Sequence, residues 1–209
     1  GIRIGATTVL HEIERSSFLC NDYQMLVEGA GVIGSRQIRN LATLGGNICN
    51  AVPSADTAAP LLAADAQVVI QGAHGLRYVF LSDFFKGPRQ TVLLDDELVT
   101  EIMLPKPPVY TGSIYRRHTL RRALDLAVAG IAVSVTMDTD GGAFEKVRIA
   151  LSAVAPTPRR ALSAEELLTG RQPTESLLNE AAELAVLASS PISDVRASED
   201  YRKDVIRAL

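Results

Sequence analysis

The first hundred residues alternate short apolar segments with turn-forming ones, and the period of each segment predicts an element. Ile2–Ala6 and Glu97–Leu104 place apolar residues at every second position, which is typical of half-buried strands. Between them, Tyr23–Val32 places its apolar residues at helical spacing. The same reasoning predicts a helix over 9–14, an apolar helix from Ala58 that ends before Asp65, and a hairpin of Ala66–Ile70 and Leu76–Val79.

A run of prolines marks the best boundary in the chain. Pro105, Pro107 and Pro108 interrupt both helices and strand pairing. We therefore predict one unit over 1–106 and a second over 107–209. In the second unit the pattern predicts strands over Gly112–Arg117, Ile131–Met137 and Phe144–Ala153, and helices from a Ser163–Glu166 capping box, over Glu175–Ala188 and over Ser198–Leu209. Strands followed by helices predict an α+β fold with an antiparallel sheet.

Composition narrows the class of protein. The chain has 209 residues, 47% of them hydrophobic, and a net charge of −3 from 21 basic and 24 acidic residues. This balance argues against a nucleic-acid footprint or a polybasic membrane patch. The two cysteines are too few for a disulfide framework, a zinc site or an iron–sulfur site. Because the sequence also has no apolar run of 18 residues, we predict a globular, reduced, cytoplasmic protein.

The stretch Thr43–Asp56 concentrates small, turn-forming and polar residues between two apolar flanks. The adjacent Gly45 and Gly46 permit positive φ, and hence a tight turn that brings backbone N–H groups close to a ligand. Asp56 adds an acceptor suited to sugar or ribityl hydroxyls. Short hydrogen-bonding side chains are added by Thr43, Asn47, Asn50 and Ser54. The alternative is a surface turn followed by a helix that Ser54 or Asp56 caps, and the residues alone leave both open.

This stretch resembles the flavin-binding signature of a known family. Arg39-Asn40-Leu41-Ala42-Thr43-Leu44-Gly45-Gly46-Asn47, followed by Pro53, Asp56 and an apolar helix, is similar to the motif of the FAD subunit of molybdenum hydroxylases. That family includes xanthine dehydrogenase and aerobic carbon monoxide dehydrogenase, and the likeness runs from Ile4 to about Arg207. The resemblance implies a FAD-binding subdomain of the vanillyl-alcohol-oxidase-like type over 1–106, followed by the smaller C-terminal α+β domain of the flavin subunit over 107–209.

The resemblance also implies which residues contact FAD. They are Ile33, Thr43, Leu44, Gly45, Gly46, Asn47, Asn50, Asp56, Val99 and Arg117. Arg117 matches the basic side chain that approaches the flavin from the C-terminal domain, where a fixed cation stabilises a reduced, anionic flavin. Many family members carry Lys there, and since Arg cannot lose its proton, no proton-transfer role is expected of Arg117. The alternative is that Arg117 belongs to a solvated basic face with Arg116, Arg121 and Arg122.

The implied function is electron transfer in an oxidoreductase. A molybdopterin large subunit oxidises a substrate, a [2Fe-2S] small subunit carries the electrons, and the FAD of this subunit passes them to NAD, oxygen or a quinone. FAD is the one cofactor expected in this chain, with the molybdenum cofactor and the iron–sulfur centres in partner subunits. No catalytic residue and no metal site are expected, and Ser54 has no nearby His for a nucleophile arrangement. The alternative is a non-catalytic interaction or assembly module without bound cofactor.

In the resembling family, a smaller upstream subdomain carries a Gly-rich loop that binds the FAD pyrophosphate through backbone N–H groups. No such loop precedes Ile2 within residues 1–209. Each charge-assisted hydrogen bond of this kind contributes about 1.5–3 kcal/mol. We therefore expect residues 1–209 by themselves to bind FAD only weakly, with the signature loop mobile without the ligand. Calorimetric titration of FAD measures this affinity, and a submicromolar value would contradict the expectation.

Overall fold

This computed structural model describes residues 1–121 and 124–209. Six strands form in its first half. They are β1 Ile2–Gly5, β2 Gln67–Gly72, β3 Gly75–Phe80, β4 Phe85–Gly87, β5 Gln90–Thr91 and β6 Leu98–Leu104. Four of them make an antiparallel sheet in the order β1-β6-β2-β3. The predicted hairpin joins β2 to β3, where Gly75 has a φ of 116° that favours glycine.

The helices of this half surround one hydrophobic core with the sheet. Their bounds are α1 Leu10–Arg15, α2 Ser17–Asp22, α3 Gln24–Gly31, α4 Arg36–Arg39, α5 Leu44–Cys49, α6 Ala58–Ala63 and α7 Leu81–Phe84. Leu10, Leu26 and Leu61 from three of these helices are buried in the same cluster as Ile102 of β6. Because α6 is buried along its whole length, its sequence is apolar on every side and lacks an amphipathic period.

In the second half, the described residues form a second antiparallel sheet and three helices. The strands are β7 Thr111–His118, β8 Ala129–Met137, β9 Phe144–Ser152 and β10 Arg159–Arg160, and the helices are α8 Leu162–Leu168, α9 Glu175–Ala188 and α10 Glu199–Ala208. The strand order is β10-β9-β8-β7. Thr174 caps α9 by accepting a hydrogen bond from the N–H of Leu177, and Ser198 caps α10 in the same way.

Both faces of the second sheet are buried, each against a different layer of helices. Ala132 and Ala150 lie opposite each other in the register and belong to the core of the first half, which packs α3 and α6 on this face. Their neighbours Ile131 and Leu151 point to the other face, where α8 and α10 cover them. Side chains alternate between the faces of a strand, and the sheet therefore shares a core with each layer.

The structure confirms the predicted α+β class and corrects the predicted start of one helix. The Ser163–Glu166 capping box is wrong, because α8 begins at Leu162 behind Ala161 and has no side-chain cap. Glu165, one position earlier, is the buried carboxylate of this segment and accepts a hydrogen bond from the N–H of Ile149. A domain boundary near residue 106 stays a prediction.

No helix within 1–121 and 124–209 combines the length and the apolar character needed to cross a membrane.

Candidate functional site

The two glycines of the signature lie in the short helix α5 and not in a tight turn. Thr43 precedes the helix and accepts a hydrogen bond of 3.1 Å from the N–H of Gly46 to its Oγ1. Neither Gly45 nor Gly46 has a positive φ. The expectation of a turn that needs positive φ is therefore wrong, and the absence of a side chain at Gly45 has another cause.

That cause is close packing of α5 against the end of β1. A Cβ atom on Gly45 would lie 2.7 Å from the Cβ of Ala6 and 2.8 Å from the Ala6 carbonyl oxygen. The N–H groups of Leu44 and Gly45 donate to the carbonyl oxygens of Thr8 and Ala6, at 3.0 and 2.9 Å. These N–H groups thus hold α5 in place instead of facing a ligand. Gly46 is exposed, and a Cβ there would meet only the Thr43 hydroxyl.

Asn47 connects α5 to the segment that enters α6. Its Oδ1 accepts a hydrogen bond of 2.6 Å from the hydroxyl of the fully buried Thr57. The amide oxygen therefore points inward, and the NH2 group of Asn47 can be presented to a ligand.

Asp56, the neighbour of Thr57, is 5% exposed and pairs with the second half of the chain. Its Oδ2 accepts a hydrogen bond of 2.7 Å from Arg117, and its Oδ1 accepts one of 2.7 Å from the hydroxyl of Tyr115. Burial raises the pKa of Asp56, while Arg117 and Tyr115 oppose part of that rise. The alternative, a cap of α6 by Ser54 or Asp56, is wrong, because Thr57 holds the cap position without a side-chain bond.

Arg117 also reaches the first half of the chain through the end of α3. Its Nη2 donates to the carbonyl oxygen of Val32 at 2.8 Å, next to Ile33 in sequence. The Arg117 side chain is 9% exposed. A solvated basic face therefore does not describe Arg117, although Arg116 and Arg121 are exposed, and Arg122 lies outside the described residues.

The remaining predicted contacts lie at the edges of this cluster. Val99 is half-buried in β6, against which α5 packs. Asn50 ends α5 and accepts a hydrogen bond of 3.3 Å from Arg89. Leu44 is fully buried, so that its side chain belongs to the core.

Sequence reasoning did not select Tyr115, Ser152 or Thr57 as members of this site. One signal was present for Tyr115, since Tyr115 and Arg117 are two positions apart on a predicted strand and so share a face. Nothing local pointed to Thr57 or Ser152. Thr57 is placed by its bond to Asn47, 10 residues earlier, and Ser152 by its contact with Tyr115, 37 residues earlier.

The chemistry of this cluster fits a flavin dinucleotide. The exposed, side-chain-free Gly46 lets a planar ligand approach the backbone, and Asn47 can donate hydrogen bonds to it. Thr43 and Asp56 carry oxygen acceptors for hydroxyl groups, and Arg117 supplies a fixed positive charge. In the described ranges 1–121 and 124–209, no group of three or more His, Cys, Asp or Glu side chains could hold a metal ion.

Comparison with known proteins matches the chain to two family models. The model of the FAD binding domain in molybdopterin dehydrogenase matches residues 1–107, and that of the CO dehydrogenase flavoprotein C-terminal domain matches residues 114–209. The xanthine dehydrogenase FAD-binding subunit of Escherichia coli O157:H7 is 32% identical over 209 residues, which are 100% of this chain and 71% of that protein. The carbon monoxide dehydrogenase medium chain of Hydrogenophaga pseudoflava is 34% identical over 199 residues, 95% of this chain and 68% of that protein.

Solved structures agree with these sequence matches. A carbon monoxide dehydrogenase structure from Hydrogenophaga pseudoflava superposes with a TM-score of 0.94 at 34% identity, covering 99% of this chain and 71% of that chain. Quinoline 2-oxidoreductase from Pseudomonas putida 86 superposes with a TM-score of 0.89 at 27% identity, covering 99% of this chain and 70% of that chain.

Proposed function

Because this chain belongs to the family of FAD-binding subunits of molybdenum-dependent dehydrogenases, we propose that it holds FAD at the site around α5. As a member of this family, the chain is a flavoprotein component of an oxidoreductase. The contacts proposed are those of Thr43, Gly46, Asn47, Asp56 and Arg117, with Ile33, Leu44, Gly45, Asn50 and Val99 around them. The relatives are dehydrogenase subunits, which supports this reading and not that of a non-catalytic assembly module.

One observation carries the placement of the site. Two adjacent residues, Thr57 and Asp56, hold the two parts of the cluster together: Thr57 binds Asn47 of α5, and Asp56 binds Arg117 of β7. Arg117 in turn binds Val32 beside Ile33. Contacts that were proposed from separate sequence positions therefore belong to two sets of hydrogen bonds, which meet at the adjacent residues Asp56 and Thr57.

When bound, FAD supplies the redox chemistry, taking electrons from a [2Fe-2S] partner subunit and giving them to an external acceptor such as NAD, oxygen or a quinone. The residues of this chain bind and orient it. Arg117 places a positive charge that Asp56 keeps in a fixed direction. The names of the relatives, FAD-binding subunit and medium chain, support partner subunits: a molybdopterin large subunit and a [2Fe-2S] small subunit. We place the assembly in the cytoplasm.

Substitution of an exposed glycine tests the site. Gly46→Leu is expected to abolish the flavin absorbance bands at about 370 and 450 nm in the assembled protein, because a side chain would fill the surface that the ligand approaches. One control is Gly112→Leu, at an exposed glycine of β7 whose added Cβ meets nothing within 4 Å. The other is Gly46→Ala, which places the same Cβ 2.9 Å from Thr43 Oγ1 without the bulk of leucine and should keep more of the flavin. Unchanged flavin content in Gly46→Leu would refute the proposed site.

A further inference from the structure

Tyr115 is a buried tyrosine whose hydroxyl connects the two halves of the chain at the candidate site. The residue is 3% exposed, and its Oη donates a hydrogen bond of 2.7 Å to Asp56 Oδ1. The hydroxyl of Ser152 in β9 lies 3.4 Å from the same Oη. Burial raises the pKa of Tyr115 well above its ordinary value, and the Asp56 carboxylate adds to the rise. The hydroxyl therefore keeps its proton and acts as a donor to Asp56.

The two oxygens of Asp56 are held by two different residues of one strand. Tyr115 binds Oδ1 and Arg117 binds Oδ2, and both side chains lie on the same face of β7. A carboxylate bound at one oxygen can rotate about its Cβ–Cγ bond, whereas one bound at both oxygens cannot. The Tyr115 hydroxyl thus supplies the second of the two bonds that fix the plane of Asp56.

Gly130 of β8 leaves room for this hydroxyl. In the register of the sheet, Gly130 lies between Arg117 and Ser152. A Cβ on Gly130 would lie 2.7 Å from Tyr115 Oη and 2.5 Å from Ser152 Oγ. Such distances would force both hydroxyls to move, so that Gly130 is part of the arrangement that directs Tyr115 toward Asp56.

We propose that Tyr115 is a positioning residue, which affects FAD binding by orienting Asp56. Its hydroxyl, supported by Ser152 and given room by Gly130, orients the Asp56 carboxylate between Arg117 and the ligand. The inference rests on the proposed function, because Asp56 is one of the proposed FAD contacts. It adds that FAD affinity depends on a hydroxyl that is buried away from the surface.

The test removes FAD from the assembled protein and titrates it back, with flavin fluorescence as the readout and thermal unfolding measured in parallel. Tyr115→Phe is expected to weaken FAD binding about tenfold, the loss of one hydrogen bond to a charged group. The control is Tyr23→Phe, since Tyr23 is equally buried and donates a 2.8 Å hydrogen bond to the Pro105 carbonyl oxygen outside the site. Tyr23→Phe should lose stability but keep FAD affinity.

A second variant keeps the hydroxyl and displaces it. Gly130→Ala should weaken FAD binding to a similar degree, because its new Cβ occupies the space of the Tyr115 hydroxyl. Comparison of Asp56→Ala with Asp56→Ala/Tyr115→Phe tests whether Tyr115 acts through Asp56, because alanine has no oxygen that could accept the Tyr115 hydrogen bond. If Tyr115 acts through Asp56, the second substitution adds nothing, whereas a general structural role gives additive losses.

The pH dependence of FAD affinity supplies a readout that a structural role would not move. The titratable groups that face Asp56 are Arg117 and Tyr115 of β7, while α3 approaches it through the backbone at Gly29. Tyr115 helps to lower the pKa of Asp56 against the effect of burial. Without the hydroxyl this pKa rises further, so that on acidification affinity falls at a higher pH in Tyr115→Phe than in the unaltered protein.

Two results would overturn the inference and leave the proposed function intact. One is a loss of FAD affinity in Tyr115→Phe that is equal at every pH, and the other is an FAD affinity of Tyr115→Phe that equals that of Tyr23→Phe. If the unaltered protein takes up no FAD at all, the proposed function itself fails. The two failures are therefore distinguishable in the same titration.

Discussion

Thr57 and Asn47 are joined by a hydrogen bond of 2.6 Å from Thr57 Oγ1 to Asn47 Oδ1. Thr57 is fully buried at the start of α6, whereas Asn47 is half-buried in α5. The bond therefore couples a residue of the core to a residue at the surface of the candidate site. It also decides which end of the Asn47 amide faces outward, because an amide whose oxygen is held can offer only its NH2 group.

Thr57→Val removes this hydroxyl with almost no change in shape. We expect the free energy of unfolding to fall by about 1 kcal/mol and FAD affinity to fall as well, since the Asn47 amide loses its fixed orientation. Thr136→Val is the matched control, because the Thr136 hydroxyl is buried and bonded to Thr111 at 2.7 Å in the second sheet. Urea unfolding and FAD titration should show a stability loss in both variants and an affinity loss in Thr57→Val alone.

The cap of α5 gives a second prediction. Thr43→Ala removes the acceptor for the Gly46 N–H and should cost about 1 kcal/mol of stability, together with FAD affinity, because the first turn of α5 frays. Thr174→Ala removes an equivalent acceptor for the Leu177 N–H at the start of α9, far from the site. If Thr174→Ala lowered FAD affinity as much as Thr43→Ala, the effect would be global and not local to α5.

Elements whose cause is local were predictable from the sequence. The hairpin of β2 and β3 follows from glycines between two β-branched or aromatic runs, and α9 begins where a Thr precedes an amphipathic pattern. In these cases the residues that form the element also determine where it begins and ends. The α+β class can be predicted from such elements, because a fold class is defined by the types of element and their order along the chain.

The sequence suggests the position of the proposed site, but it does not predict the contacts that build it. Two adjacent glycines are compatible with a turn or with close packing, and the choice was made by Ala6, which belongs to a different element. Likewise the partners of Asp56 are Tyr115 and Arg117, which lie 59 and 61 residues further along the chain. Local propensity has no information on contacts of this separation, and an acidic residue before a helix suggests a cap when its true partner is unknown.

Gly45 provides a direct test of the packing explanation. Gly45→Ala should lower stability by about 1–3 kcal/mol, because its Cβ would overlap Ala6, although Ala is ordinarily better than Gly inside a helix. Ala6→Gly should restore part of the loss, and only part, since the Ala6 carbonyl oxygen remains 2.8 Å from the new Cβ. Thermal unfolding of the two single variants and the double variant measures this. A stabilised Gly45→Ala would show that α5 does not pack as described.

Asp65 gives the last prediction, which concerns the junction of the two halves. It lies after α6 with a φ of 53° and accepts hydrogen bonds from three cations of the second sheet: Lys146 at 2.9 Å, Arg148 at 3.2 Å and Arg160 at 3.0 Å. Asp65→Asn keeps the size of the side chain and the left-handed backbone, which Asn tolerates. Because Arg148 and Arg160 also pair with Glu165, the expected loss at pH 7 is about 1–3 kcal/mol, below that of a fully buried pair.

The same carboxylate predicts how this loss depends on pH. Burial alone would raise the pKa of Asp65, but the hydrogen bond from Lys146 and the charges of Arg148, Lys146 and Arg160 outweigh it and lower the pKa below its ordinary value. A folded-state pKa below the unfolded one means that the stability from Asp65 is complete above about pH 4 and is lost as the pH falls through the folded value. The difference between the unaltered protein and Asp65→Asn in urea unfolding should therefore be constant near neutral pH and shrink below about pH 4. Glu183→Gln, at an exposed pair with Arg207, should change stability little at either pH, and a difference for Asp65→Asn that persisted undiminished at the lowest pH would show that the Asp65 carboxylate is not held by these cations.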